Sequence, residues 1–289
     1  MNVLNRACTA AFDVFLTPFE LLGMEFTLIT VSGIFGILAL IVFKHISSQK
    51  RIKATKDKIK GHMIEIRLYQ DDLVIVARAI GKVLLRNLQY LALNFGPILP
   101  LFIPFVFVLA QFVVRYAFDP VPVTPAHVVM LAGQGTMITV ELDEAHRQDI
   151  ASLTIEYPDG LAPLNGKPVV RIPAIGKAFH EIIATKAGDY EIAFTLGDGT
   201  RVTKRLVAGA ETHVRWMQPE RVGLALAAAL WPVEETFGSD SGFVKISFEY
   251  PESDLGWLPM SGVLGVLVVF FVASMAFGVA ILKPLGIQI

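Results

Sequence analysis

The chain has 289 residues, of which 54% are hydrophobic and 18% charged, with 25 basic side chains against 26 acidic ones. A soluble domain averages about 45–50% apolar and about 25% charged. This balance therefore argues against an ordinary soluble enzyme, and the apolar excess excludes a disordered chain. A single cysteine excludes an internal disulfide framework and a cysteine-only metal site.

Taken in chain order, residues 1–23 place Leu4, Ala7, Ala11, Val14, Phe15, Phe19 and Leu22 at helical spacing. This predicts an amphipathic helix lying in a membrane interface and ended or kinked at Pro18. Cys8 reads as a small apolar residue of that helix. Residues 26–43, 88–114 and 262–282 run for 18, 27 and 21 residues without a charge. A helix needs about 20 apolar residues to cross about 30 Å of hydrocarbon. Three transmembrane helices are expected, within 24–43, 88–117 and 261–289, the last with a short tail.

Between the first two spans, residues 44–87 read as a basic helical hairpin of coiled-coil type. Ile52, Ile59 and Ile66 recur every seven residues, with Thr55, His62 and Tyr69 between them. Gln70-Asp71-Asp72 supplies a turn and an N-cap. Leu73, Val76, Ala77, Ile80, Val83, Leu84 and Leu88 form a stripe expected to pack on the first helix of the pair. The hairpin is expected to project from the membrane.

Residues 118–260 change character. Asp119-Pro120-Val121-Pro122-Val123-Thr124-Pro125 is a stiff extended linker. Strand-like runs follow at 127–131, 136–142, 152–157, 168–172, 179–185, 189–196, 200–207, 213–217 and 243–250, separated by turn residues such as Pro158-Asp159-Gly160 and Gly197-Asp198-Gly199. This spacing predicts an all-β, immunoglobulin-like sandwich, with Tyr190 placed as in a tyrosine corner. Residues 219–230 are expected to form a short helix. Trp216, Trp231 and Trp257 are candidate anchors at the outer membrane interface, Trp216 alternatively a core residue of the sandwich.

The near-neutral total hides two opposite halves. Residues 44–91 carry 11 basic and 4 acidic side chains, net +7, and residues 118–260 carry 11 basic and 19 acidic, net −8. Basic residues in a short loop hold it in the cytoplasm. The expected topology has the N-terminus outside, the hairpin cytoplasmic, the sandwich extracytoplasmic and the C-terminus inside, in a prokaryotic inner membrane.

Chemistry-bearing patterns are sparse. No HExxH, GxSxG, Walker loop or GxGxxG occurs, so no enzyme activity, metal or cofactor is expected, and no specific nucleic acid. Glu141, Asp143, Glu144 and His146 form an acidic cluster that reads as a solvated loop. Glu25 and Arg115 fall at the same expected boundary and are candidates to pair. Counting about 1.5 Å per residue from the cytoplasmic edge, Gly36, Asn94 and Ser274 lie at similar depth in the inner half of the bilayer. Gln111 lies near the outer edge. Pro97, Pro100 and Pro104 kink the second span. Gly36, Asn94, Gln111 and Ser274 are thus candidate linings of a partly hydrated groove open to the cytoplasm, or helix-packing glue.

The outside interfacial helix, the first span, the stretch Ser47-Ser48-Gln49-Lys50-Arg51-Ile52-Lys53, the basic hairpin and the proline-containing span together resemble the YidC/Oxa/Alb insertase superfamily. The likeness is to its three-span members, the archaeal YidC-like proteins and the insertase subunit of the ER membrane protein complex. It covers 1–117 and 262–282. It implies a hydrophilic intramembrane groove that admits substrate helices. It also implies a hairpin that meets nascent membrane proteins or ribosomes, with Lys50, Arg51, Lys53, Lys56 and Lys60 contacting ribosome, substrate or anionic lipid. Two departures stand out: residues 26–43 lack a basic groove residue, and a β domain separates the last two spans. The competing expectation is a membrane-anchored structural subunit whose β domain, 118–260, binds a partner protein.

Overall fold

Among residues 2–125, 131–209, 216–224, 227–238, 240–258 and 260–285, which the computed structural model describes, six α-helices and nine β-strands follow the expected order. The helices are α1 (Asn2–Glu20), α2 (Met24–Ile46), α3 (Gln49–Leu68), α4 (Leu73–Phe95), α5 (Ile98–Tyr116) and α6 (Gly262–Leu285). Three stretches are helical, long and apolar enough to cross a membrane: Met24–Ile46, Leu73–Tyr116 and Gly262–Pro284. The second is 44 residues long and is built from α4 and α5. The break between them falls at Gly96-Pro97, because proline lacks an N–H and crowds the preceding turn. Pro100 sits in the first turn of α5 and Pro104 is accepted inside it. Pro18 likewise lies within α1, which runs on to Glu20.

The chain divides into two compact units. Unit 2, Ile29–Phe105 with Val269–Ile289, is helical. In it α3 and α4 form the hairpin. Asp72 caps α4 by accepting from the backbone N–H groups of Val74 and Ile75 at 3.0 and 3.1 Å. Ile52 and Thr55 of α3 and Ala79 of α4 are buried, and Ile59, His62, Ile66, Ile75, Val76 and Val83 are half-buried. Glu65 accepts from His62 at 2.9 Å and lies 3.5 Å from Lys82. Of the seven residues of the α4 stripe expected to pack on α3, only Val76 and Val83 are half-buried. Leu73, Ala77, Ile80, Leu84 and Leu88 are exposed, and the row continues through Leu91 and Phe95.

Unit 1, Met1–Leu28 with Val106–Val268, holds the strands. These are β1 (Thr136–Leu142), β2 (Thr154–Glu156), β3 (Leu161–Pro163), β4 (Val170–Ile172), β5 (Lys177–Ala184), β6 (Gly188–Thr195), β7 (Arg201–Ala208), β8 (Glu220–Val222) and β9 (Phe243–Phe248). One sheet has the order β3-β5-β1-β9-β8, with β4 also on β5, and the other is β2-β6-β7. Every pairing between named strands is antiparallel. Val121 and Val123 of the proline-rich linker bridge in parallel to Ala208 and Ala184. Alternate residues of both sheets meet in one core, among them Ile138, Val140 and Ile182 from the larger sheet and Ile192, Phe194 and Leu206 from the smaller. The Tyr190 hydroxyl donates to the Lys186 carbonyl at 2.8 Å, close to the start of β6.

Seven of the nine expected strands coincide with observed ones. Residues 127–130 of the run 127–131 and 213–215 of the run 213–217 lie outside the described residues. The short helix expected at 219–230 is replaced by β8 and a 3-10 turn, Ala227–Ala229. There Glu220–Val222 extends the larger sheet beside β9.

Candidate functional site: an apolar cavity beside Asn94

Unit 2 contains a cavity of about 510 Å³ between α2, the α4–α5 break and α6. Gly36, Asn94 and Ser274 all line it, together with Phe35, Phe43, Phe95, Leu101, Phe105, Phe271, Met275 and Leu282. The three residues selected by depth therefore share one wall-to-wall space.

Each is placed by a distinct local cause. A Cβ at Gly36 would lie 2.7 Å from both Cα and the carbonyl carbon of Ser274, so glycine is what lets α2 and α6 approach. The Ser274 hydroxyl donates to the Ser32 carbonyl at 2.9 Å and tethers the same pair of helices. Asn94, on the last turn of α4, donates Nδ2 to the Tyr90 carbonyl at 2.7 Å, while its buried Oδ1 has no hydrogen-bond partner. A ring cluster of Phe35, Phe105 and Phe270, with centroids 5.1–6.0 Å apart, closes the wall. The lining is thus apolar except for one unpaired amide oxygen. Ser274 spends its hydroxyl on backbone and Gly36 offers no polar side chain, the packing role expected as the alternative to a hydrated groove.

Gln111 does not line the cavity. It belongs to unit 1, where it is fully buried and donates Nε2 to Thr9 Oγ1 of α1 at 2.9 Å. Its Oε1 accepts from Arg115, which also pairs with Asp13 and donates to the Thr9 carbonyl at 3.3 Å. The expected Glu25–Arg115 pair is replaced by this Asp13–Arg115 pair. The Arg115 side chain is 1% exposed, and the face of α1 turned to it is the polar one carrying Thr9 and Asp13. Asn5, on the same helix, is buried and donates to the Ala228 carbonyl at 2.8 Å. Of the apolar stripe expected in residues 1–23, Leu4, Ala7, Ala11, Val14 and Phe15 of α1 and Leu22 just beyond it are exposed, and Phe19 is half-buried.

The basic residues Lys50, Arg51, Lys53, Lys56 and Lys60 are all exposed on α3. The acidic cluster of the β domain is consumed by cations: Glu141 pairs with Lys177 and lies 3.8 Å from Lys245, and Asp143 accepts from His146 at 2.8 Å. Among the described residues, no group of three or more His, Cys, Asp or Glu is arranged to hold a metal. Trp216 is covered by the Arg205 guanidinium at 4.1 Å and Trp231 donates to Glu220 at 3.1 Å, whereas Trp257 is exposed.

Sequence reasoning missed Lys204. It sits on the inward register of β7, fully buried, donating to Glu234 and to the Gln218 carbonyl, each at 2.8 Å, with its ammonium 4.9 Å from the Phe248 ring centroid. Burial pushes its pKa down and Glu234 opposes that shift. Its partner lies 30 residues away across a loop, beyond the reach of any local pattern. Lys204 lines a polar pocket with Asp189, Arg205, Arg221 and Glu234, in which Arg205 pairs with Asp189 and Arg221 donates to the Glu235 carbonyl at 2.7 Å, the bonding of a structural network.

No family model matches this chain, and no curated protein or solved structure matches it either.

Proposed function

We propose that this is an insertase-like membrane protein biogenesis factor in which α2, α5 and α6 span a bilayer and the cavity beside Asn94 receives an apolar client helix. The carrying observation is the conjunction of an apolar cavity of about 510 Å³ with a single buried amide oxygen that has no partner. Protein interiors rarely leave such an acceptor unpaired. A passing helix with a hydroxyl or amide would satisfy it, while the aromatic and aliphatic lining replaces lipid around the rest of the client. No bond chemistry is involved. On this reading the likeness to the YidC/Oxa/Alb superfamily is one of architecture, with capture in an apolar groove instead of passage along a hydrated one.

The net +7 of residues 44–91 supports a cytoplasmic hairpin, which puts the β domain outside. The pairing orders β9-β1-β5-β3 and β2-β6-β7, and the Tyr190–Lys186 hydrogen bond, support an immunoglobulin-like sandwich with β9 in the place of its first strand. One observation favours a second role for this domain as the docking site of a partner protein. Val170, Ile172 and Ile175 are exposed along and beside the edge strand β4, where an added strand or apolar patch would fit.

Photocrosslinkers at Phe95 and Phe271, both lining the cavity, test the main reading. Nascent membrane chains stalled during synthesis should be captured from both positions. Labelling of lipid alone from both would refute it.

A further inference from the structure

The outer face of α4 has the form of a lipid-binding surface. Leu73, Ala77, Ile80, Leu84, Leu88, Leu91 and Phe95 recur at three- and four-residue spacing. Six of them are large side chains 45–80% exposed, and Ala77 is exposed as well. At 3.6 residues per turn they occupy one stripe of roughly 80° running the length of the helix. The opposite side of α4, carrying Ala79, Lys82, Val83 and Arg86, is the one turned to α3. Hairpin packing uses Ile75, Val76, Ala79 and Val83 and leaves the leucine-rich stripe uncovered.

Two observations say what covers it. The first is charge. Asp72 is followed by no acidic residue until Asp119, while Arg78, Lys82 and Arg86 stand one turn apart along α4 and α3 adds Lys50, Arg51, Lys53, Lys56, Lys58 and Lys60. A basic amphipathic helix with a bare apolar face has the composition of an in-plane helix on an anionic bilayer. The second is continuity. Only Gly96 and Pro97 separate Phe95 from α5, whose first turns expose Leu99, Phe102 and Ile103 at 60–75%. The stripe thus leads directly into the uncovered apolar surface of a helix apolar enough to span.

We infer that α4 lies in the interface of an anionic bilayer, with its Leu73–Phe95 stripe in the acyl boundary and the exposed basic side chains of the hairpin drawn to the anionic headgroups. The hairpin then rests on the membrane and does not project from it. This rests on the reading that α5 crosses a bilayer.

The test uses the full chain with Cys8→Ser, labelled singly with an environment-sensitive fluorophore at Ala77→Cys, Leu84→Cys, Leu99→Cys or Asp57→Cys. It is reconstituted in vesicles of phosphatidylcholine with or without phosphatidylglycerol, and quenched by lipids carrying a tail nitroxide. In the anionic vesicles, labels at Ala77 and Leu84 should be blue-shifted and quenched as fully as at Leu99, with the α3 label at Asp57 unquenched. Quenching at Ala77 should fall when phosphatidylglycerol is omitted. Water-like emission at Ala77 and Leu84, with Leu99 quenched, overturns this inference alone. Blue-shifted emission there that no lipid quencher reaches overturns it too, since protein then covers the stripe. Equal quenching in the two vesicle types overturns the anionic surface. Loss of quenching at Leu99 itself overturns the membrane reading beneath it.

Discussion

Replacing Asn94 with leucine separates a residue kept for function from one kept for stability. The amide makes one hydrogen bond, from Nδ2 to the Tyr90 carbonyl one turn earlier, and leaves Oδ1 buried without a partner. A buried unsatisfied acceptor costs about 1–3 kcal/mol. A side-chain hydrogen bond within a bilayer protein averages about 0.6 kcal/mol. Leucine has nearly the same volume and would meet an apolar lining. The variant should therefore be more stable than the parent by about 0.5–2.5 kcal/mol. Unfolding of the purified full chain in detergent, followed by near-ultraviolet circular dichroism, reads this directly. Crosslinking of nascent chains from Phe95 should weaken in the same variant, because the client loses its one polar contact. A variant less stable than the parent by more than about 1 kcal/mol would show that Oδ1 supports the fold, and the reasoning fails.

Gly36→Leu must push α6 away at Ser274, an overpacking that should cost about 1–3 kcal/mol in the same unfolding measurement and break the Ser274–Ser32 hydrogen bond. Asp13→Ala leaves the buried Arg115 guanidinium with Gln111 and backbone only. The loss should be about 1.5–3 kcal/mol, and limited proteolysis should then cut α1 faster. His180 is held neutral, mainly by burial, with Nε2 3.0 Å from the Lys167 carbonyl and Nδ1 against the Tyr157 hydroxyl. Its folded pKa lies below the ordinary value, so its contribution is intact above about pH 6.5 and is lost as pH falls from there towards the lowered pKa. Denaturation between pH 7 and 5 should show this acid-side loss, and His180→Asn should flatten it. His146 shifts the other way, raised chiefly by its hydrogen bond to Asp143. Its nuclear magnetic resonance titration should midpoint above that of a free histidine and return to it in Asp143→Asn.

The strands were legible because alternation is local: β1 buries every second residue from Thr136 to Leu142, as its sequence reads. The strands without an expected counterpart, β3 and β8, sit where the sequence signals something else, a Pro-Asp-Gly turn before Leu161–Pro163 and an alanine- and leucine-rich run from 219 on. On α3 the heptad positions Ile52 and Thr55 are buried in the seam, although threonine is a poor seam residue. The α4 stripe was read correctly as a face and wrongly as a seam, since periodicity reports that a face exists and not what lies against it. Gln111 failed for a related reason. An amide in an apolar run signals a polar need, but its partner Thr9 is 102 residues away in sequence. Gly36 and Ser274 came together because the close α2–α6 approach needs a glycine opposite the serine, and Asn94 joins them at the α4–α5 break. The apolar lining of their cavity was equally present in the sequence, in Phe35, Phe43, Phe95 and Phe105, and was outweighed there by attention to the few polar residues.

Both amphipathic helices spend their polar or mixed face on the protein and leave their apolar face bare. In α1, Asn5, Thr9 and Asp13 are bonded to the rest of unit 1, while Leu4, Val14, Phe15 and Leu22 stand 45–78% exposed. In α4 the same inversion holds against α3. In water this arrangement is costly, since each Å² of apolar surface left exposed forgoes about 25 cal/mol and the buried polar groups pay for desolvation. In a bilayer the signs reverse. Lipid covers the apolar face at no cost, and hydrogen bonds within the protein satisfy the polar groups that packing removes from water. On the membrane reading, the Thr9–Gln111–Arg115–Asp13 network is what ties α1 to the rest of unit 1 while lipid covers its other face. The apolar part of the α1 contact is small, Leu16 buried and Phe12 edge-on to Phe112 at 6.2 Å, so the polar network carries much of the attachment.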